Sequence, residues 1–294
     1  MEIISLLSTS PVWLIAIAGI FSLLIGSFLN VVIHRLPIMM EREWKQECLE
    51  FLSGDDTPAI QPDTSRFNLV IPRSQCPHCG HQITALENIP IMSYLVLGGK
   101  CSDCKAPISP QYPLVEFATA LLSILVAWRY GFSKETLVLL PFTWTLVALF
   151  MIDAKTMLLP DNLTFPLLWA GILVNLNGVF VDLESSVIGA VAGYMSLWSI
   201  YQLFKLITGK EGMGFGDFKL LAALGAWGGW QILPFVIFAS SAFGAVFGIM
   251  WMLTKGRGKS LPMPFGPWLA MAGFVALVWH KDIMQLSQTF FMPH

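Results

Sequence analysis

The sequence predicts an all-α polytopic membrane protein of about eight transmembrane helices, with one small polar domain between the first and the second. Three observations carry this. The 294 residues are 55% hydrophobic and only 12% charged, about half the charged share of a soluble globular protein. Apolar runs near the ~20-residue length that crosses a bilayer recur at 12–33, 113–130, 135–152, 162–180, 185–207, 217–229, 231–254 and 265–281. The cationic residues fall on one side of the spans so assigned.

The first run, Val12 to Ile33, is too long for the apolar core of a signal peptide. No cationic stretch precedes it and no small-residue cleavage site follows, so it reads as a retained membrane helix. The sixth run is short and Gly-rich. It reads as a half-span or re-entrant piece whose backbone groups must be satisfied by protein. With residues 34–112 placed in the cytoplasm, fourteen of the 17 Lys and Arg lie on the cytoplasmic side, among them Arg35, Arg73, Lys100, Lys155, Lys205, Lys219, Arg257 and Lys259. Arg129, Lys134 and Lys281 remain on the other. Both termini then lie outside the cytoplasm.

The chain divides accordingly into a first transmembrane helix (1–33), a cytoplasmic domain (34–112) and a transmembrane domain (113–294). Within the second, 41–66 is acidic and polar, helix-like at its start and loop-like at its end, and reads as a solvated insertion. A net charge of −2 gives no basis for nucleic-acid binding. Membrane lipids are the first partners implied.

Two C-x-x-C pairs, Cys76/Cys79 and Cys101/Cys104, are separated by 21 residues. Each pair puts two thiolates on one tight turn. Two such knuckles brought together give the four-sulfur tetrahedral site that structural zinc prefers. Four cysteines close the coordination shell, so the metal shapes the domain and leaves the chemistry elsewhere. On the cytoplasmic side disulfides are disfavoured, and a redox dithiol accounts for one pair but not two. His78 and His81 read as bystanders and Cys48 as a free thiol.

Ionisable groups within or at the ends of spans are costly and are therefore functional candidates. Four acids qualify: Glu116, Asp153, Asp161 and Asp217. Asp161 and Glu116 each stand near the start of a helix, where the dipole and capping favour an acid. Asp153 stands at a helix C-terminus, where the dipole opposes it. Asp217 follows Gly212, Gly214 and Gly216, a run that permits close backbone approach. Both fall at the cytoplasmic ends of their spans. Two carboxylates at one depth can share a proton, one acting as general base on a water and the other as acid towards a scissile carbonyl. Lys219 reads as an interfacial snorkelling lysine rather than a positive neighbour that keeps Asp217 ionised.

With these residues assembled, the chain resembles the type IV prepilin peptidases, membrane aspartic proteases that process type IV pilins and type II secretion pseudopilins. The likeness runs through "GSFLNVVIHRLP" (26–37), "SQCPHCGHQITALENIPIMSYLVLGGKCSDCKAPISPQYPLVE" (74–116), "MIDAKTMLLPDNLTFPLLW" (151–169) and "GFGDFKLLAALGAW" (214–227). The resemblance implies that Asp153 and Asp217 are the catalytic aspartates and that Cys76, Cys79, Cys101 and Cys104 bind zinc. It implies cleavage of a short basic leader just after a glycine, on the cytoplasmic face of the bacterial inner membrane. It implies, too, N-methylation of the exposed residue, commonly phenylalanine, with S-adenosylmethionine.

No glycine pattern of the dinucleotide-binding type follows a strand. Gly98 and Gly99, beside the second knuckle, are the residues the resemblance suggests for the methylation region; as plain sequence they are a turn. Two other readings remain at this point. One is a transporter with midplane carboxylates and a zinc-stabilised regulatory domain, which lacks the expected internal repeat. The other is a peptidase that cleaves without methylating.

Overall fold

The computed structural model describes residues 10–52, 66–210, 212–255 and 264–291. Among these the secondary structure is helical, with two isolated antiparallel bridges in place of any strand. Each of the eight apolar runs coincides with a helix, but the helices are not equal. Five are long and apolar enough to cross a membrane: Pro11–Leu52, Gln111–Tyr130, Lys134–Thr156, Leu183–Thr208 and Trp230–Leu253. The other three are shorter: Asp161–Asn175 with 15 residues, Phe215–Gly228 with 14 and Gly266–Val278 with 13. The expected eight spans thus become five long and three short. The helices are labelled α1 (Pro11–Leu52), α2 (Met92–Val96), α3 (Gln111–Tyr130), α4 (Lys134–Thr156), α5 (Asp161–Asn175), α6 (Leu183–Thr208), α7 (Phe215–Gly228), α8 (Leu233–Lys255), α9 (Gly266–Val278) and α10 (His280–Phe291). Of the sequence expectations, most of the loop-like end of 41–66, the cations Arg257 and Lys259, and the chain ends lie outside the described residues.

The chain forms two compact units. The first comprises residues 16–124. Here α1 does not stop at Ile33 but continues to Leu52, through Pro37, as one helix of 42 residues. Small residues let α1 and α3 approach closely, as they do between membrane helices. A Cβ on Gly26 would sit 2.7 Å from the Glu116 Cα. Past the apolar part of α1, the buried Arg35 donates to the carbonyls of Asn68 and Pro72 at 2.9 and 2.6 Å, fixing the approach to the first knuckle.

The second unit comprises 1–15 and 125–294. Its centre is α7, buried at every position from Asp217 to Gly228 except Lys219. Gly189 and Gly193 of α6, one turn apart, face the backbone of α7 at Gly225 and Leu221. A Cβ on Gly193 would lie 2.6 Å from the Leu221 carbonyl oxygen. Such close approach is how helices associate where water supplies no driving force.

A helix of 14 residues ends inside the bundle, and its last carbonyls need donors. They have them. The Asn175 amide donates to the carbonyls of Ala226 and Trp227, both at 2.9 Å. The Ser186 hydroxyl donates to Ala226 at 2.6 Å. The His280 ring nitrogen Nε2 lies 3.1 Å from the Gly228 carbonyl oxygen. Asn175 also accepts from the N–H groups of Phe180 and Val181, which secures the turn after α5. The short sixth segment is therefore a buried helix whose open end is closed by side chains from its neighbours.

Candidate active site and metal centre

Asp153 lies one turn before the end of α4. The helix stops through Met157 in the left-handed region, with its N–H on the Asp153 carbonyl at 2.9 Å. Only 4% of Asp153 is exposed, and its Oδ2 has no hydrogen-bond partner among the described residues. Asp217 stands in the first turn of α7, 7% exposed, with its N–H directed to the Gly214 carbonyl at 3.3 Å.

Two glycines and a leucine hold this pair. A Cβ on Gly266, the first residue of α9, would fall 2.5 Å from Asp153 Oδ2. A Cβ on Gly216 would fall 2.7 Å from the Leu159 Cβ. The same Leu159 side chain lies 3.1 Å from the position of a Gly266 Cβ. Leu159 thus touches both the glycine beside Asp217 and the glycine against Asp153. By contrast, a Cβ on Gly214 would meet nothing among the described residues closer than Asp217 Oδ2, at 3.9 Å.

Lys219 turns to Asp161, whose two carboxylate oxygens accept from its ammonium at 2.7 and 2.8 Å. It also lies over the Phe165 ring, 5.1 Å from the centroid. Asp161 opens α5 as expected, with Pro160 before it. Glu116 departs from the expectation of a helix-start acid. It is 7% exposed and its Oε2 accepts from the Ile91 N–H at 2.8 Å.

In the other unit, the four cysteines come together. Their sulfurs all lie within 4.8 Å of one another, with Cys76 3.8 Å from Cys104 and Cys79 4.0 Å from Cys101. A tetrahedral four-sulfur site with ~2.3 Å metal–sulfur bonds requires sulfurs about 3.8 Å apart, so the set fits a metal ion. The two knuckles are built alike. Each opening cysteine donates its N–H to the residue five further on, Cys76 to His81 and Cys101 to Ala106, both at 2.8–2.9 Å. Each turn passes through a positive φ, at Gly80 and at Lys105. Bridges Gln75–Gln82 and Lys100–Pro107 close both. The N–H groups of Cys79 and His78 lower the Cys76 thiol to about 7, and those of Cys104 and Asp103 lower Cys101, whereas Cys79, despite the His81 N–H, is pushed up to about 12 by burial and the neighbouring thiols. Thiolates are the metal-binding form.

His81 has its Nε2 engaged outside the four-sulfur cluster. It lies 3.2 Å from both Glu87 Oε1 and the Ser102 hydroxyl, which ties the first knuckle to the second. Ser102 and Thr84 bring Glu87 down to about 2. Gly98 and Gly99 both have positive φ and close α2, with the Tyr94 ring against Gly99. Cys48 is exposed and outside the cluster.

A model of the type IV leader peptidase family matches residues 140–249, the stretch that carries both aspartates, and a model of the bacterial Peptidase A24 N-terminal domain matches 20–130. The chain belongs to the type IV leader peptidase family. Its relatives include proteins named prepilin leader peptidase/N-methyltransferase. One from Aeromonas salmonicida is 58% identical over 92% of this chain and 93% of its own. One from Aeromonas hydrophila is 57% identical over 95% and 96%, and one from Pseudomonas aeruginosa is 53% identical over 96% of each. No solved structure matches. Within this leader peptidase, the sequence pointed to the acids and cysteines but not to Gly266 and Leu159. The only sequence signal for them was an apolar Leu-Leu-Pro after Asp153 and a Pro-Phe-Gly-Pro opening the last short helix.

Proposed function

We propose that this protein cleaves the leader peptides of type IV prepilins and type II secretion pseudopilins at the cytoplasmic face of a bacterial inner membrane, with Asp153 and Asp217 as the catalytic pair. Family membership makes it a leader peptidase with methyltransferase activity, a multi-pass membrane protein. The observation that supports the residue assignment is the burial of two carboxylates tied together by Leu159, which reaches both Gly216 beside Asp217 and Gly266 against Asp153, with Asp153 Oδ2 lacking a hydrogen-bond partner among the described residues. A buried polar atom without a partner needs an explanation, and a proton-accepting role towards a water is one. One aspartate takes the proton of the attacking water while the other protonates the scissile carbonyl. A transporter reading does not fit the family.

Zinc is the metal proposed for Cys76, Cys79, Cys101 and Cys104. The closed four-sulfur geometry supports a structural ion with no open coordination position. S-adenosylmethionine supplies the methyl group when bound, and Gly98 and Gly99 belong to the proposed methylation region. The proposal includes the division into a first transmembrane helix (1–33), a cytoplasmic zinc domain (34–112) and a transmembrane peptidase domain (113–294). The test is mass spectrometry of a prepilin processed by the protein in membranes, with zinc measured on the same preparation. Cleavage after the leader glycine with one added methyl is expected. An unprocessed prepilin overturns the peptidase reading, and a cleaved, unmethylated product leaves cleavage alone.

A further inference from the structure

The unit of residues 16–124 holds polar groups that neither the aspartate pair nor the cysteine cluster uses. Glu116 is buried in the second turn of α3. The hydrogen bond it accepts comes from a neutral donor, the Ile91 N–H at 2.8 Å, while the nearby Ser27 hydroxyl donates to Asn88 Oδ1 at 3.4 Å. A carboxylate has about four acceptor positions, and one buried at membrane depth normally faces a cation or a ligand. One turn away, the amide of Asn30 donates to the carbonyls of Gly26 and Tyr112 at 3.3 and 3.1 Å. Those two carbonyls fix the orientation of the amide. Its oxygen is buried and has no partner among the described residues, and only 4% of the residue is exposed.

The chain that lies on Glu116 is strained. Ile91 has φ 60° and ψ −48°, and the Met92 N–H bonds back to the Pro90 carbonyl at 2.6 Å. This is a γ-turn with a positive central φ, a rare and costly form, and here it is centred on a β-branched residue, for which positive φ is a true outlier. Such strain persists only when the surroundings impose it and gathers at functional sites. The N–H of this same residue is the one that bonds Glu116.

We propose that Glu116 and Asn30 form an acceptor site for a primary ammonium group, an inference that rests on the methyltransferase reading of this family member. The carboxylate and the unpaired amide oxygen accept from the ammonium, which displaces the Ile91 N–H and releases the γ-turn. Two reactants of methylation carry such a group: the new N-terminus of the processed substrate and the amino-acid end of the methyl donor. If the substrate amine is held, Glu116 takes one proton from it. The freed lone pair forms the N–C bond as the C–S bond of the methyl sulfonium breaks, its electron pair staying with sulfur. The products are a methylated ammonium, a neutral thioether and a protonated Glu116.

The experiment uses the full-length, zinc-loaded protein in detergent and the variants Glu116→Gln, Glu116→Asp and Asn30→Ala. Cleavage, methylation, zinc content, and equilibrium binding of S-adenosylmethionine and of a mature-form peptide with a free phenylalanine N-terminus are measured on each. Glu116→Gln is expected to keep zinc and to cleave within about threefold of wild type, and to lose methylation by at least about tenfold, the scale of one charge-assisted hydrogen bond. Glu116→Asp, which keeps the charge, is expected to recover part of the loss. Weakened binding of the peptide alone identifies the substrate amine; weakened binding of S-adenosylmethionine alone identifies the donor. Wild-type methylation and binding in Glu116→Gln overturn the inference. So does a parallel loss of cleavage, zinc and methylation in both Glu116 variants, which marks a purely structural role. If the wild type cleaves without methylating, the methyltransferase reading fails, and the peptide-binding comparison decides the ammonium site alone.

Discussion

Gly266→Ala is the sharpest probe of how the aspartates are held. The added Cβ would lie 2.5 Å from Asp153 Oδ2 and 3.0 Å from its Cγ. Real contacts of this kind do not fall below 3.0 Å, so the carboxylate or the start of α9 must move by at least about 0.5 Å. That is the tolerance within which catalytic groups work, and a displacement of 1 Å costs on the order of 100-fold in rate. Cleavage of a prepilin by Gly266→Ala in membranes should therefore fall about 10- to 100-fold, or about 1.4–2.7 kcal/mol in the barrier. Gly216→Ala should behave similarly, because its Cβ would meet the Leu159 Cβ at 2.7 Å. Gly214→Ala is the internal control. Its φ of −79° suits any residue and its Cβ would meet only Asp217 Oδ2, at 3.9 Å, so cleavage should stay within about threefold. Wild-type cleavage by Gly266→Ala at normal abundance and metal content, or loss in Gly214→Ala equal to that in Gly216→Ala, refutes the packing argument.

Asn175→Ala strips donors or acceptors from Ala226, Trp227, Phe180 and Val181. Membrane hydrogen bonds average ~0.6 kcal/mol each, so a loss of about 2 kcal/mol is expected in reversible unfolding in micelles; a change below about 0.5 kcal/mol would contradict the capping role. Lys219→Ala removes a half-exposed ion pair with Asp161, worth at most ~1 kcal/mol, and should leave cleavage nearly intact; abolished cleavage would make Lys219 a partner of the aspartates instead. Glu87, held near 2 by Ser102 and Thr84, stabilises the knuckle region above its ordinary value of 4.5. That contribution is lost as pH falls towards 2. The stability gap between wild type and Glu87→Gln should accordingly be full at pH 7 and shrink below pH 4.5; a gap unchanged by pH would show that Glu87 acts without its charge.

Much of this arrangement is written locally. The apolar runs mark helices because each backbone must satisfy itself in lipid, and the paired C-x-x-C motifs mark a candidate metal site because their sulfurs converge. Asp153 and Asp217 are legible as candidates because a carboxylate at the end of an apolar run is costly. Hydropathy does not say where a helix stops inside a bundle. The end of α7 is set by Asn175, Ser186 and His280, side chains 40 to 52 residues from the carbonyls they meet. The start of 41–66 read as helix-like and is helical, but its continuity with the first span was hidden because polar residues and Pro37 interrupt the apolar pattern without breaking the helix. Gly266 and Leu159 act by shape alone, and shape complementarity between distant segments leaves no periodic mark. Glu116 resembled an ordinary helix-start acid because its partner, Ile91, contributes a backbone N–H, which no side-chain pattern reveals.

The most direct test of the account is cleavage of a prepilin in membranes by wild type, Asp153→Asn and Asp217→Asn, with metal content measured on each. Both substitutions keep size and remove the carboxylate. The account predicts that both variants retain the metal and neither cleaves. Cleavage by either one would contradict the pairing of Asp153 with Asp217 and turn attention to Asp161 and Glu116.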